Sequence, residues 1–212
     1  MKSSFALVVV AASSTAAADP TVYSAVKGDY TVELKLPNGK VDKRKLGDGS
    51  ESVSKQSFLV PPGVDKLALR VVDSAGKEVW KTTTGANDVY VLIPDGKNKV
   101  KGVFAGHASG AGETPKAAGF ISISPVDVTL DLIGHNGIGA HRGIEPGKAF
   151  QTIKLDPRET YFGVEVKLKD ANVTVTTAAK VEPGRYYLVS THRREGFRLL
   201  SLGHIPAPAK KK

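Results

Sequence analysis

The sequence predicts an all-β protein with two tandem small antiparallel β-sandwich domains after a signal peptide. Three observations support this fold class. Short segments of alternating apolar and polar residues recur along the chain, turn sequences separate them, and no segment has the long apolar stripe of an amphipathic helix. An apolar fraction of 41% is ordinary for a globular protein, and 212 residues leave room for two domains.

The first 18 residues have the order of features typical of a secretory signal peptide. Lys2 supplies a positive charge, the apolar run FALVVVAA follows at residues 5–12, and the three alanines at residues 16–18 fit a cleavage site. A short buried helix or strand is the alternative interpretation of the apolar run. We expect the mature chain to begin at Asp19 and to be periplasmic or secreted, without a membrane span.

The first predicted domain, residues 19–108, begins with a polar leader at residues 19–28. The segment YTVELKL, residues 30–36, alternates strictly and predicts a half-buried strand, and Asn38-Gly39 predicts a hairpin turn after it. Further strands are predicted at residues 56–60, 66–72 and 78–82, and a hairpin at residues 88–107 closes the domain.

Residues 109–116, SGAGETPK, lack apolar periodicity and are predicted to form a linker. The alternation then restarts in a second predicted domain, residues 117–206, and residues 207–212 form a basic tail. Strands of the second domain are predicted at residues 126–132, 164–168 and 172–177, with a closing hairpin at residues 184–204.

The two closing hairpins resemble each other, which predicts an internal duplication. Each has a tyrosine in its first strand, a basic turn, and a final Gly-His. One offset of 97 residues relates Tyr187 to Tyr90, His204 to His107, and Val164 to Leu67. Any two sandwiches share alternation, so a chance similarity is the alternative interpretation.

Charge and cysteine content limit the classes of partner. The chain has no cysteine, which excludes disulfides, thiol catalysis and a lipid-modified cysteine. Basic residues exceed acidic ones by nine, and an exported basic protein meets anionic glycans more often than nucleic acid. The candidate polyanion-binding residues are Lys43, Arg44 and Lys45 after the first turn, and Arg185, His192, Arg193, Arg194 and Arg198 on the closing hairpin. Solvated turns without a ligand are the alternative.

No motif predicts catalysis, a cofactor or a metal. The segment GHNGIGAHRG, residues 134–143, has two histidines, but a metal site needs a third ligand, and Glu145 is the closest carboxylate in sequence. We interpret this segment as a flexible hairpin turn. The segment GDGS at residues 47–50 superficially resembles an esterase block, yet no histidine follows an Asp-x-x spacing. We therefore predict a non-enzyme, although paired carboxylates for glycoside cleavage stay open.

Three segments between residues 124 and 190, SPVDVTLDLIGHNGIGAH, GIEPGKAF and KVEPGRYYLVS, carry a resemblance to a known family. Their order resembles the second half of the alginate O-acetylation accessory proteins, and the wider group of small secreted sandwich repeats. The resemblance implies a periplasmic adaptor without catalytic residues of its own. Such an adaptor would help O-acetylation or export of an anionic exopolysaccharide, alongside an acyltransferase or export proteins. A structural or adhesive secreted protein is the alternative.

Overall fold

The computed structural model shows an all-β chain, as the alternation predicted, and no helix occurs among the residues that it describes. Those residues are 19–49, 53–61, 63–96, 99–109, 114–124, 127–134, 137–148, 150–156, 162–168, 174–192 and 196–206. Within these ranges no helix is long and apolar enough to cross a membrane. The predicted signal peptide and the basic tail lie outside the described residues.

Sixteen strands are described. In chain order they are β1 (Thr21–Ser24), β2 (Tyr30–Lys35), β3 (Val41–Leu46), β4 (Ser54–Ser57), β5 (Leu67–Asp73), β6 (Glu78–Thr84), β7 (Asp88–Pro94), β8 (Val100–His107), β9 (Ala117–Ser122), β10 (Val128–Gly134), β11 (Gly137–Ile144), β12 (Gln151–Lys154), β13 (Phe162–Leu168), β14 (Thr174–Val181), β15 (Arg185–His192) and β16 (Gly196–His204).

These strands form three sheets. The first four-stranded sheet has the order β3-β2-β5-β6, and the second has the order β11-β10-β13-β14. An eight-stranded sheet has the order β12-β9-β15-β16-β8-β7-β1-β4. Strand order is therefore the same in the two halves of the chain, and β1 pairs in parallel with β7 as β9 pairs with β15.

The eight-stranded sheet continues from one half of the chain into the other. Strands β8 and β16 are neighbours at its centre, where His107 pairs with His204. The sequence predicts two domains divided within residues 109–116, and the structure shows that the two halves contribute four strands each to one sheet. Whether each half folds by itself stays a prediction.

The strand pairing shows that one offset of 97 residues cannot relate both β10 to β2 and β13 to β5. Leu34 pairs with Leu69, whereas Leu132, which follows Leu34 by 98 residues, pairs with Val164, which follows Leu69 by 95. Matching Leu132 to Leu34 makes Val164 correspond to Leu69, whereas matching Leu130 to Leu34 makes it correspond to Leu67, so the predicted match of Val164 to Leu67 stays a prediction. Strand pairing sets this register, because a one-residue slip would turn every apolar side chain out of the core.

Three apolar cores lie between layers of sheet. The first core lies between the first four-stranded sheet and the eight-stranded sheet, and includes Val22, Val32, Leu34, Phe58, Leu69 and Leu92. The core of the second half includes Phe120, Leu130, Leu132, Val164, Tyr187 and Val189. A middle core on the opposite face of the eight-stranded sheet combines Val89, Val91, Ile93 and Ala105 with Ile121, Leu188 and Leu202.

The middle core is buried because the eight-stranded sheet bends and packs its two halves against each other. Val91 lies on β7 and Leu188 lies on β15, which is three positions away in the sheet order. Both side chains are nevertheless fully buried in the same core. Gly147, whose amide donates to the carbonyl of Ser122 in β9, also lies beside Pro94 at the end of β7. A flat sheet would hold β9 and β7 roughly 19 Å apart.

Burial on both faces explains the strands that alternation missed. Residues 19–28, predicted to be a polar leader, contain β1, which lies between β7 and β4. In β1, Val22 faces the first core and Tyr23 packs against the middle core, so the strand shows no alternation. Strand β9 has the same position in the second half.

Two other predicted elements differ from the structure. The segment at residues 134–143, interpreted as a flexible turn, is mostly strand β11, which pairs with β10 from Val128 to Gly134. The strand predicted at residues 56–60 is observed as β4, which ends at Ser57. Phe58 then enters the core while Leu59 is 73% exposed.

Candidate functional site

The outer face of the first four-stranded sheet contains a cleft of about 740 Å³. Alternation in β2 determines which residues reach this face, because Val32 and Leu34 point into the core and Glu33 and Lys35 point the other way. The residues that line the cleft include Lys35, Val41, Ala68, Arg70, Lys81 and Thr83.

Cross-strand pairing arranges a row of charged residues over this face. Lys43 of β3 pairs with Glu33 of β2, Glu33 pairs with Arg70 of β5, and Arg70 pairs with Lys81 of β6. Four neighbouring strands span roughly 14 Å. The row, which we call the cation row, therefore places three cations and one carboxylate across the whole width of the sheet.

Glu33 holds the centre of the cation row. Its side chain is only 5% exposed, and its Oε1 accepts a hydrogen bond from Lys43 Nζ at 2.8 Å. Its Oε2 accepts a hydrogen bond from Arg70 Nε at 2.5 Å. The hydrogen bond from Lys43 lowers the pKa of Glu33, against the opposing effect of burial, and Arg70 lowers it further. Glu33 is therefore a buried, charged anchor for two cations.

The cations of this face extend from the anchor towards solvent. The side chains of Lys43, Arg70 and Lys81 are 60%, 53% and 75% exposed. Lys81 forms an ion pair with Glu78 at 3.0 Å, and Lys35 and Lys45 are exposed on the flanking rows. Within the described residues, no carboxylate pairs with Lys35 or Lys45. The face is therefore positively charged and open to an anionic ligand.

The structure separates the three basic residues predicted after the first turn. Lys43 and Lys45 lie on the outer face, whereas Arg44 lies on the opposite side of β3, so the structure does not bring the three side chains together. Its guanidinium hydrogen bonds Asp42 Oδ2 at 3.1 Å and lies 5.1 Å from the centre of the Phe58 ring. Alternation along the strand turns neighbouring residues to opposite faces.

The described members of the predicted cluster on the closing hairpin belong to the eight-stranded sheet, not to the cleft. They are Arg185, His192 and Arg198. Arg185 forms an ion pair with Glu182 at 2.9 Å and donates a hydrogen bond to Ser201 Oγ at 3.1 Å. His192 is the last residue of β15, and Arg198 is exposed on β16. Arg193 and Arg194, which the sequence predicts to lie in the turn, are outside the described residues, so their role stays a prediction.

The sequence interpretation missed Glu33, Lys35, Arg70 and Lys81. Alternation in β2 and β5 indicated that Glu33 and Arg70 point away from the core. It did not indicate that β5 and β3 lie on the two sides of β2, which is what brings the charges together. The cation row depends on pairing between distant segments.

The second half does not repeat the cation row. At the corresponding register positions, His141 pairs with Asp131, Asp131 pairs with Glu165, and Glu165 pairs with Thr176. Of these four, the structure describes the side chain of Asp131 alone, which is 1% exposed. Among the side chains described throughout the chain, no three potential ligands gather to hold a metal ion.

Comparison with known proteins does not identify a family for this chain. A scan against protein-family models and a search of curated proteins found no match. The candidate function therefore depends on the chemistry of the cleft and its cation row.

Proposed function

We propose that the protein is an exported, non-enzymatic binding protein for an anionic polysaccharide, and that the cleft on the first four-stranded sheet is its binding site. The observation that carries this proposal is the cation row, in which Lys43, Arg70 and Lys81 project from a sheet face around one buried carboxylate. Acidic residues on that face do not balance the positive charge of the row, because Lys35 and Lys45 add two more cations to the face.

A polymer suits this face better than a small anion. The cation row spans roughly 14 Å, which allows several repeated charges of one chain to be bound together. An exposed ion pair contributes only ~0–1 kcal/mol, so useful affinity requires several such contacts at once. The exposed Val41 and the neighbouring Ala68 add apolar surface beside the cations, as the carbon faces of sugar rings require.

The wider role in this proposal is that of a periplasmic adaptor in O-acetylation or export of an exopolysaccharide such as alginate. Two features of the sequence support it: the signal-like first 18 residues, and the resemblance between residues 124 and 190. In this role the protein holds the polymer while a partner acyltransferase or export protein acts on it. Binding of nucleic acid is not part of the proposal.

Binding of a polyuronate by residues 19–212, measured calorimetrically at low and at physiological salt, tests the proposal. We expect weak binding that falls as salt shortens the Debye length to about 8 Å. A neutral glucan serves as the control polymer and should not bind. Incubation should leave the length and the substituents of the polyuronate unchanged, and a change in either would contradict the non-enzymatic role.

Two double variants with equal loss of charge locate the site. Lys35→Ala with Lys81→Ala removes two cations that line the cleft and do not contact Glu33, and should weaken binding about three- to tenfold. Arg193→Ala with Arg194→Ala removes two cations from the turn of the closing hairpin, and should have the smaller effect. The reverse order would assign the site to the hairpin. Absence of binding at low salt would reject the polysaccharide and favour a protein partner.

A further inference from the structure

Arg70 is held in place before any ligand binds. Its Nε donates to Glu33 Oε2 at 2.5 Å, and Glu33 is itself held by Lys43 through its other oxygen at 2.8 Å. Glu33 is 5% exposed, whereas the side chain of Arg70 is 53% exposed. The guanidinium is therefore anchored at its inner nitrogen and exposed at its outer end.

The outer end of Arg70 carries its two Nη groups, which form no hydrogen bond with another described residue. A guanidinium is planar, and two of its N–H groups can bind both oxygens of a carboxylate at once. An arginine that is already immobilised loses less side-chain entropy when it binds a ligand. Arg70 is thus prepared for two-point contact with an oxyanion such as a carboxylate, whereas the lysines offer single charges.

We propose that Arg70 recognises a uronate carboxylate of the polysaccharide by this two-point contact, and that Glu33 is the positioning residue that orients it. This proposal rests on the proposed function of the cleft. Lys43 and Lys81, on either side in the cation row, attract neighbouring anionic groups of the same chain.

The first test changes the shape of the cationic group at residue 70 and keeps its positive charge. Arg70→Lys keeps the positive charge and loses the planar pair of donors, so affinity for an oligouronate should fall about tenfold, as for one lost hydrogen bond to a charged group. The dependence of affinity on salt should stay the same, because the charge of the site is unchanged. Arg142→Lys, at an exposed arginine of β11 outside the cleft, is the matched control and should bind as the unmodified protein does.

The second test distinguishes a positioning role of Glu33 from an effect of its negative charge alone. Glu33→Gln removes a negative charge from a cation-rich site, so a site that works by charge alone should bind the oligouronate more tightly. If Glu33 positions Arg70, the same variant should bind it less tightly. Thermal unfolding of each variant accompanies the binding measurement, and Arg70→Lys decides the question if Glu33→Gln fails to fold.

The outcomes distinguish this proposal from the one on which it rests. Failure of the unmodified protein to bind any oligouronate would reject both. Binding by the unmodified protein, together with equal affinity of Arg70→Lys, would overturn the role of Arg70 and leave the binding function standing.

Discussion

His107 and His204, at equivalent ends of β8 and β16, pair with each other where the two halves of the eight-stranded sheet meet. Their surroundings differ. His107 Nδ1 lies 3.1 Å from Asp88 Oδ1, and the other oxygen of Asp88 accepts a hydrogen bond from the Tyr90 hydroxyl at 3.1 Å. Burial is the main cause that raises the pKa of Tyr90 to about 12, so this hydroxyl stays protonated and donates.

The surroundings of His204 predict that the free energy of unfolding depends on pH. Burial lowers the pKa of His204 below 6.5, and the charge of Arg185 lowers it further, against a smaller opposite effect of Glu182. The unfolded chain therefore binds the proton more readily, and the stabilising contribution of neutral His204 is lost as pH falls below about 6.5. Urea unfolding from pH 7 to pH 5 should show this loss, and His204→Gln should reduce it. An unchanged pH dependence in the variant would contradict the assignment.

Glu33 predicts a second pH dependence, in a more acidic range. Because Lys43 and Arg70 lower its pKa, its contribution to stability is complete above the ordinary value of 4.5 and is lost as pH falls through the folded-state value. Thermal unfolding between about pH 5 and pH 3 should therefore show a smaller loss for Glu33→Gln than for the unmodified protein. Equal losses would mean that other carboxylates account for the acid sensitivity.

Gly106 is required where β8 meets β16. Its φ of +91° favours glycine, and a Cβ at this position would collide with the carbonyl oxygen of His204. Gly106→Ala should lower the free energy of unfolding by about 2 kcal/mol or more. Gly143→Ala is the control, since no atom lies within 4 Å of the added carbon and its φ is not positive. Equal urea midpoints for the two variants would contradict this role of Gly106.

The middle core predicts that the two halves associate when they are separated. Expression of residues 19–108 and 117–208 as two chains would expose Val91 in one and Leu188 in the other, both fully buried in the whole protein. Exposed apolar surface of this kind favours association. Mixing should therefore give a one-to-one complex, detected by size-exclusion chromatography with light scattering. If the two fragments instead stay separate, each with its own cooperative unfolding, they are independent domains.

Export predicts a defined mature terminus. Mass spectrometry of protein collected from the periplasm or the medium should show a chain that begins at Asp19. A chain that retains Met1 in that sample would contradict the signal peptide and would weaken the choice of an exported polysaccharide as the ligand.

Local sequence alone determined where most strands lie and which way their residues point. Alternation from Tyr30 to Leu36 predicted β2 correctly, with Val32 and Leu34 inward and Glu33 outward. The turn at Asn38-Gly39 was also predictable, because Gly39 adopts a φ of 81° that a glycine tolerates. These properties depend on neighbours within a few residues, so the sequence displays them directly.

Pairing between distant segments was decided only in the tertiary structure. Periodicity within one strand does not say which strand lies beside it, so it could not place Lys43 and Arg70 on the two sides of Glu33. Strand β1 escaped prediction because layers cover both of its faces, and such a strand shows no alternation. The bend that buries Val91 with Leu188 likewise results from the packing of one half of the chain on the other. No local sequence pattern predicts this packing.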